Sequence, residues 1–262
     1  MKKHIKKIIN LFGYSIVNSD QLSALRAIDR SDGINKIFKP GRPNVLLDDM
    51  YIALANSAAQ FGQDIFVLNE LGFKKNGYFV EFGATNGVVF SNSLMLEREF
   101  GWRGILAEPA RIWHEDLVRN RNCFIEKNCV YSETGKELEF LEQSGMSGLA
   151  AFGRNDMHSK YRERHSVKYS VSTISLNDLL DKYEAPTQID YLSIDTEGSE
   201  FKILSSFDFS KYKISIITVE HNYNEKMRAS IRSLLSQYGY INKYSNLSKY
   251  DDWYVLDDSI NT

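Results

Sequence analysis

The sequence has little of what marks several large classes of protein. Its 262 residues include only two cysteines and four prolines, and no low-complexity tract. Cys123 and Cys129 lack a metal-binding spacing, so we expect reduced structural thiols of a cytoplasmic protein. The scarcity of proline and of low-complexity sequence predicts little disorder. No apolar run approaches the roughly 20 residues that a membrane-spanning helix needs.

An excess of positive charge is also missing. The net charge is −2 and the isoelectric point is about 6.2, which argues against nucleic acid as the main partner. The start, Met1-Lys2-Lys3-His4, is followed by further lysines and not by the apolar core of a signal peptide. A hydrophobic fraction of 43% is enough for one large domain, or for one domain with an appendage.

The usual phosphate-binding glycine motifs are absent, and a different glycine turn is present. The aromatic and branched residues of 78–82 predict a buried central strand, and a helix is predicted over 91–100. The turn between them has a G-x-x-x-G spacing, unlike the G-x-G-x-x-G of dinucleotide sites or the P-loop. The strand-end acid favours a cationic ligand, and S-adenosylmethionine (SAM) carries an amino group and a sulfonium. The residues predicted here to contact SAM are Glu81, Gly83, Ala84, Asn86 and Gly87; a structural turn of an ordinary α/β fold is the alternative.

A second predicted strand, over 104–109, also ends in an acid. Glu108 lies roughly 20–30 residues beyond the glycine turn, where a carboxylate accepts hydrogen bonds from a ribose diol in dinucleotide folds. Pro109 follows it. Val130 is expected just beyond a third strand over 123–127, where an adenine edge would rest. The alternative for Glu108 is a surface acid before a loop proline.

Strands and helices alternate along the rest of the chain. We predict strands at 137–142, 189–195 and 214–219, helices at 112–121, 175–183 and 225–238, and a hairpin over 240–246 and 253–256. This order predicts an α/β fold with a mostly parallel, doubly wound sheet. The segment 145–170 is expected to be irregular, and it is either a solvated loop or a mobile basic lid over an anionic acceptor. Its basic residues are Arg154, His158, Lys160, Arg162, Arg164, His165 and Lys168.

Residues 1–60 are predicted to form a helical cap on a domain spanning 61–262. Apolar residues recur at helical spacing over 5–17, with lysines on the other faces. Such a helix docks on its own domain, pairs two copies of the chain into a homodimer, or lies on an anionic membrane surface at the inner face of the cell. Residues 40–43, Pro-Gly-Arg-Pro, give the clearest linker signal, and a helical stretch is predicted over 47–71.

Acids are predicted at the ends of four strands. Because ligands of an open parallel sheet bind beyond the carboxyl ends of its strands, Glu81, Glu108, Asp195 and Glu220 are expected to share one crevice. Glu81 and Glu108 are assigned to the cofactor. Asp195, assigned to both ligands, would border the methyl acceptor together with Glu220 and His221. Four unrelated, solvated acids are the alternative.

Methyl transfer to a hydroxyl requires alignment of the reactants and a group that removes the hydroxyl proton. His221 titrates near neutral pH and is the predicted general base. Alternatively, Asp195, Glu220 and His221 hold a Mg²⁺ or Mn²⁺ ion that acidifies a sugar diol. A histidine that only hydrogen-bonds within the core is the third interpretation.

The chain resembles the FkbM family of SAM-dependent methyltransferases over about residues 60–256. The match rests on the stretches 77–87, 91–92, 102–109 and 189–200, and the last, I-D-Y-L-S-I-D-T-E-G-S-E, is the most specific. The resemblance implies a class I methyltransferase fold with a Rossmann-like seven-stranded sheet, SAM as donor, and O-methylation, often of sugars in polysaccharides or natural products. It also implies that Ser91 and Asn92 lie near the cofactor and that Asp195 and Glu197 belong to the active centre. Ser193 stands where a lysine is common, which leaves the acceptor open.

Two other functions are the alternatives. An NAD-dependent sugar-modifying enzyme would share the sheet, but it would carry G-x-G-x-x-G and usually a Tyr-x-x-x-Lys pair, and neither occurs here. A subunit that binds SAM without catalysis is the other, although the intact set of strand-end acids argues against a decayed site. The expected acceptor is a carbohydrate, either free or linked to a nucleotide or phosphate.

Overall fold

The computed structural model describes residues 47–152 and 166–257. Its helices are α1 (Leu47–Asn56), α2 (Gln63–Glu70), α3 (Leu94–Phe100), α4 (His114–Asn120), α5 (Leu176–Lys182), α6 (Glu200–Ser205) and α7 (Glu225–Gln237). Its strands are β1 (Tyr78–Phe82), β2 (Arg103–Ala107), β3 (Phe124–Glu126), β4 (Cys129–Tyr131), β5 (Glu137–Glu142), β6 (Gly148–Leu149), β7 (Val167–Ser175), β8 (Gln188–Ile194), β9 (Lys213–Glu220), β10 (Tyr240–Lys243) and β11 (Asp251–Leu256). The predicted helices before residue 47, and the basic residues from Arg154 to His165, lie outside the described residues.

A seven-stranded sheet runs through the domain in the order β10-β11-β9-β8-β1-β2-β3. β1 lies at its centre, parallel to β2 on one side and to β8 on the other. All five residues of β1 are buried, as its apolar sequence predicts. β11 runs antiparallel to both β9 and β10 and forms the terminal hairpin. The predicted mostly parallel seven-stranded sheet with an antiparallel hairpin is therefore confirmed.

Successive residues of the central strands face two separate cores, because side chains alternate along a strand. Val80 and Leu192 face a cluster that includes residues of α5, α6 and α7. Phe79 and Tyr191 face a second cluster, which includes residues of α1, α2 and α3. Helices cover both faces of the sheet, so its carboxyl-end edge remains for a ligand site.

A small second sheet, in the order β4-β7-β5-β6, was not predicted. Two expectations are wrong here. Val130 was expected just beyond the end of β3; instead it belongs to a separate strand, β4, which pairs with β7. The segment 145–170 is not irregular throughout, because β6 pairs with β5 and the first residues of β7, including Lys168, pair with β5 as well.

The helical stretch predicted over 47–71 is divided into α1 and α2. Gly62 stands in a left-handed conformation, with φ of 82°, directly before α2. The buried Asp64 carboxylate accepts hydrogen bonds from the Ser57 hydroxyl and from the backbone N–H groups of Ala58 and Ala59, which fixes the chain between the helices. Ala53 of α1 belongs to the second core cluster. Among the described helices, none combines the length and the apolar character that crossing a membrane requires.

Candidate functional site

A cavity of about 490 Å³ opens at the carboxyl ends of β1, β2, β8 and β9. Such a volume lies within the range of roughly 300–1,000 Å³ that small-molecule sites occupy. The four strand-end acids, Glu81, Glu108, Asp195 and Glu220, all line it. The sheet therefore brings together the acids that the sequence placed at its strand ends. The other predicted cofactor residues that line the cavity are Gly83, Ala84, Asn86, Ser91, Asn92, Pro109 and Val130.

Glu81 is held by the segment that leads into α3. One carboxylate oxygen accepts the backbone N–H of Asn92 at 2.8 Å, and the other accepts the hydroxyls of Ser91, at 3.0 Å, and Ser93. The Arg121 guanidinium donates to these same two hydroxyls and lies 3.9 Å from the carboxylate. Glu81 thus ties the end of β1 to the start of α3, and the buried arginine compensates its charge.

The two glycines of the turn have different roles. Gly83 has φ of 74°, and a Cβ on it would lie 2.1 Å from the backbone carbonyl oxygen of Asp195. It therefore allows the turn after β1 to contact the end of β8 directly. Gly87, with φ of 76°, does not line the cavity. A Cβ there would meet the side chains of Leu117 and Arg121 at 2.7 and 2.6 Å. Between them, the Asn86 side chain accepts the N–H groups of Val88 and Val89.

Glu108 connects the end of β2 to the glycine turn. Its carboxylate accepts the backbone N–H of Thr85 at 2.8 Å and that of Ala110 at 2.8 Å. Burial is the main cause that raises the pKa of Glu108 to about 7, and these two hydrogen bonds oppose that rise. A carboxylate in this position, with a pKa near neutrality, is suited to accept hydrogen bonds from a diol.

A chain of hydrogen-bonded side chains begins at Asn92, which lines the cavity. The Asn92 side chain donates to the Ser193 hydroxyl at 2.9 Å, and Ser193 accepts a longer bond of 3.4 Å from Thr218. The Tyr191 hydroxyl lies 2.8 Å from the Thr218 hydroxyl. Within the described residues, the side-chain oxygen of Asn92 is buried without a hydrogen-bond partner. An unsatisfied acceptor at a cavity wall suits a ligand donor.

Three carboxylates gather where β8 and β9 end. Asp195, Glu197 and Glu220 each place an oxygen within 4.8 Å of the others. The Asn222 amide donates to Glu220 at 2.7 Å and to Glu197 at 3.4 Å. Asp195 is exposed and lines the cavity, whereas Glu197 and Glu220 are half-buried.

Two of these three acids have strongly perturbed titration. Desolvation by the surrounding protein, and then the charge of Glu197, raises the pKa of Asp195 well above its usual range. Desolvation, and then the charge of Asp195, raises the pKa of Glu220 in the same way. Like charges at this distance disfavour the loss of both protons. The pair is therefore suited to hold one proton that either carboxylate can exchange with a ligand hydroxyl.

His221 lies on the other side of the strand, so its predicted roles as base and metal ligand do not fit the geometry. It is only 1% exposed, does not line the cavity and is not part of the carboxylate cluster. Its Nδ1 accepts the backbone N–H of Tyr223 at 3.1 Å, while Nε2 lies 4.0 Å from Asp252. Burial lowers the pKa of His221 below its ordinary value, so the ring is neutral at neutral pH. The third interpretation, a histidine that hydrogen-bonds within the fold, matches these contacts.

Sequence reasoning missed the wall that faces the carboxylates. Gln63, at the start of α2, donates to the buried Asp251 of β11 at 2.6 Å, and both line the cavity with Gln60. Burial is the main cause that raises the pKa of Asp251 to about 6. The two partners stand 188 positions apart in sequence. The strand-end position of Asp251 was the one available signal, because β11 begins beside the end of β9.

A comparison with protein-family models decides the family. The model of the methyltransferase FkbM domain matches residues 81–241, which is more than half of the chain. This chain belongs to the FkbM methyltransferase family. It is accordingly a SAM-dependent methyltransferase, and the resemblance stated from its sequence motifs is confirmed.

Solved structures similar to this FkbM protein include other methyltransferases. A precorrin-6y C5,15-methyltransferase from Geobacter metallireducens has a TM-score of 0.41 at 11% identity, with 76% of this chain and 88% of that chain covered. An O-methyltransferase from Bacillus cereus in complex with SAH has a TM-score of 0.37 at 11% identity, with 97% of both chains covered. A putative RNA methyltransferase from Pyrococcus horikoshii has a TM-score of 0.37 at 10% identity, with coverage of 76% and 85%. Scores of this size carry no argument about the acceptor. No curated protein matches the sequence significantly.

The residues of the FkbM site fit SAM. The cavity wall is acidic at both ends, which suits a ligand that carries a sulfonium and an ammonium group. Glu108 would take the ribose diol. Pro109 and the buried Val130 give an apolar wall for the adenine ring, and Asn92 offers an acceptor.

Proposed function

We propose that this methyltransferase methylates a hydroxyl of a carbohydrate. The observation that carries the proposal is the cluster of Asp195, Glu197 and Glu220 at the end of the cavity formed by β8 and β9. When bound, SAM supplies an electrophilic methyl group on a sulfonium. The protein must then bind the hydroxyl that accepts the methyl group, and it must provide a base that takes the hydroxyl proton. The carboxylate cluster is suited to both tasks.

The perturbed carboxylates supply the base. A carbohydrate hydroxyl is a weak acid, so transfer is faster when a positioned group takes its proton as the new bond forms. The raised pKa values of Asp195 and Glu220 bring their proton affinity closer to the working pH than that of an ordinary acid. Asn222 holds Glu220 and Glu197 in position, and it donates rather than accepts, so it favours their ionised forms.

The mixture of groups supports a polyol acceptor. Carboxylates accept hydrogen bonds from neighbouring hydroxyls of a sugar, and amides can donate and accept at once. Gln60 and Gln63 stand at the same cavity wall as Asp251.

A divalent cation at the same cluster is the variant of this proposal. Three carboxylates form a hard oxygen set that suits Mg²⁺ or Mn²⁺, with Glu197 in the place that the sequence assigned to His221. An ion would acidify a bound diol directly. The two variants differ in one measurable respect, since only the metal variant loses activity with EDTA and regains it with added Mg²⁺ or Mn²⁺.

Transfer of a labelled methyl group from SAM to a panel of saccharides tests the proposal. The panel contains free sugars, sugar nucleotides, sugar phosphates and a polysaccharide extract, with phenols and carboxylic acids as competing acceptors. We expect a methylated saccharide whose label resists mild alkali, because a methyl ether is stable where a methyl ester is cleaved. Labelling confined to phenols or carboxylic acids would refute the carbohydrate acceptor. Binding of S-adenosylhomocysteine (SAH) without any transfer would favour the binding-only alternative.

The remaining expectations concern residues outside the described part of the chain. A homodimer or a membrane contact through the first 46 residues, and a basic lid over a phosphate-linked acceptor, stay predictions. Lys168 is the one residue of the predicted basic cluster that the structure describes, and it lies in β7.

A further inference from the structure

Three aromatic rings contact one another in a row, although none of them lines the cavity. The ring centroids of Phe61 and Tyr250 are 5.7 Å apart, and those of Tyr250 and Tyr223 are 4.9 Å apart. We call these three residues the aromatic platform. Tyr223 is the most accessible of them, with 54% of its surface exposed.

Each ring of the aromatic platform stands next to a residue of the acidic end. Phe61 follows Gln60, and Tyr250 precedes Asp251; both neighbours line the cavity. Tyr223 follows Asn222, whose amide binds the Glu197 and Glu220 carboxylates. The backbone therefore places each platform residue one position from a group of the acidic end, and the Tyr223 ring also lies 6.1 Å from the His221 ring.

The chain holds Tyr223 in place at a conformational cost. Asn222 and Tyr223 have φ of 45° and 57°, and a bulky side chain rarely adopts such a left-handed conformation. His221 and Tyr250 fix this turn. The His221 ring accepts the N–H of Tyr223 at 3.1 Å, and the Tyr250 carbonyl accepts the N–H groups of His221 and Asn222 at 2.7 and 3.2 Å.

We infer that the aromatic platform binds one face of a pyranose ring, with Tyr223 as the main contact, while the acid cluster takes the hydroxyl to be methylated. This inference rests on the proposed carbohydrate acceptor and adds the subsite that recognises it. The C–H bonds on a pyranose face carry partial positive charge, and they pack favourably on the electron-rich face of an aromatic ring. The ring hydroxyls point outward from that face, where carboxylates and amides can bind them.

The neighbouring charges support a neutral ring on the platform. The Lys249 ammonium lies 5.3 Å from the centroid of Phe61 and so occupies one side of that ring. Tyr223 and Tyr250 are then the rings available to the ligand. The Glu197 and Glu220 carboxyl groups, which are bound by the amide of Asn222 next to Tyr223, favour a ligand that offers hydroxyl donors at its edge.

Saturation-transfer NMR on the full-length protein loaded with SAH tests the platform. The probes are the methyl pyranosides of glucose, galactose, mannose and rhamnose, with the acyclic polyol sorbitol as the control ligand. We expect at least one pyranoside to bind more tightly than sorbitol, with the strongest signals on the protons of one ring face. Tyr223→Ala should weaken that binding at least about fivefold, whereas Tyr223→Phe, which keeps the ring, should bind as the wild type does.

Tyr238→Ala is the matched protein control. Tyr238 is also an exposed tyrosine stacked on an aromatic ring, Phe209, at 4.1 Å. It follows α7 at the opposite end of the sheet, since Phe209 lies just before the first residue of β9. We expect this variant to bind the pyranoside normally. SAH affinity should be unchanged in all three variants, which shows that they are folded.

The outcomes separate the platform from the proposed function. Equal pyranoside binding by the wild type and Tyr223→Ala would overturn the platform, even if saccharides are methylated. Binding of a phenol such as 4-nitrophenol but of no pyranoside would overturn it as well. Pyranoside binding that depends on Tyr223, together with no methyl transfer to any saccharide, would support the platform and refute the proposed function.

Discussion

The Glu108 carboxylate and the backbone N–H of Thr85 are joined by a hydrogen bond of 2.8 Å, which ties the end of β2 to the glycine turn. This carboxylate is the group assigned to the ribose diol, and burial raises its pKa to about 7. An ionised carboxylate accepts two hydrogen bonds from a diol, whereas the protonated acid must donate one of its own. The protonation state of Glu108 should therefore control cofactor affinity around neutral pH.

We expect SAH to bind about tenfold more weakly for each pH unit below 7, as Glu108 gains its proton. Calorimetry between about pH 5.5 and 8.5 measures this dependence. Glu108→Gln should bind SAH weakly at every pH. Its binding free energy should be about 1–3 kcal/mol less favourable than that of the wild type at high pH. Affinity that does not vary with pH, or that is unchanged in Glu108→Gln, would refute the ribose assignment.

The same group predicts the pH dependence of stability without ligand. Its pKa in the folded protein, about 7, exceeds the usual value of 4.5. The contribution of Glu108 to the free energy of unfolding is therefore fully present below about pH 4.5, and it is lost as the pH rises through about 7. Thermal denaturation should show Glu108→Gln gaining stability over the wild type as the pH increases from 5 to 8, to the order of a few degrees. A constant difference across this range would contradict the shift.

Gly83 and Gly135 offer a matched pair of glycines. Both have positive φ, 74° and 81°, but a Cβ on Gly135 meets nothing within 4 Å, whereas one on Gly83 would lie 2.1 Å from the Asp195 carbonyl oxygen. Gly135→Ala should cost about 1–2 kcal/mol of unfolding free energy, from backbone strain alone. Gly83→Ala should cost more and should also weaken SAH binding, because the turn must move away from β8. Urea denaturation and calorimetry give the two quantities, and equal losses in the two variants would count against the contact.

Arg121 is expected to be a major stabilising residue. Its side chain is fully buried, and it bonds to Glu97, to the Gly87 carbonyl and to the two serines that hold Glu81. Arg121→Met should lower the unfolding free energy by about 3–5 kcal/mol, because it leaves buried carboxylates without their partner. The control is Arg119→Ala, whose exposed pair with Asp116 should contribute less than about 1 kcal/mol. A loss for Arg121→Met no larger than that of the control would contradict this assignment.

The acid cluster should control turnover. Asp195→Asn and Glu220→Gln should each reduce kcat about 10²–10⁴-fold, the usual contribution of a general base. Glu225→Gln, a change at an exposed acid on α7, is the control and should leave kcat intact.

The wild-type rate should rise with pH as the Asp195–Glu220 pair loses its proton, because the pKa of each is raised. The same pH profile should be observed for His221→Gln. If it disappears in this variant, His221 is the general base.

Metal binding can be measured without activity. If the cluster holds Mn²⁺, a concentration 100-fold above the dissociation constant should stabilise the wild type by about 2.7 kcal/mol. Glu197→Gln should lose most of this stabilisation, because it removes one of three ligands. Thermal denaturation with and without Mn²⁺ makes the comparison. No stabilisation at millimolar Mn²⁺ would leave the metal-free base as the mechanism.

The sequence was sufficient for the parts of the site that depend on strand ends. Glu81, Glu108, Asp195 and Glu220 converge because parallel strands share one carboxyl edge, and this could be predicted from apolar runs that end in acids. The prediction of His221 in the site was wrong, although the same geometry gives its direction. Adjacent residues of an extended chain face opposite sides, so a residue directly after Glu220 is expected to point away from it.

Other parts could not be predicted from local patterns. The second sheet depends on β7 pairing with β4 and β5, and the three residues of β4 are too few to distinguish from the end of β3. Pairing between Gln63 and Asp251 joins distant segments, which no periodicity reveals. The aromatic platform likewise brings together residues from three loops that are distant in sequence.

The approach of Gly83 to the Asp195 carbonyl has a consequence for how acceptor preference can change. The part of the cavity assigned to the nucleoside and the part assigned to the acceptor meet here through main-chain atoms, not through exchangeable side chains. Their spacing is therefore set by the backbone, while the surrounding walls vary with sequence. Mutations that redesign the walls for another acceptor should leave the transfer distance as it is, so new specificities are within reach of this scaffold without rebuilding its centre.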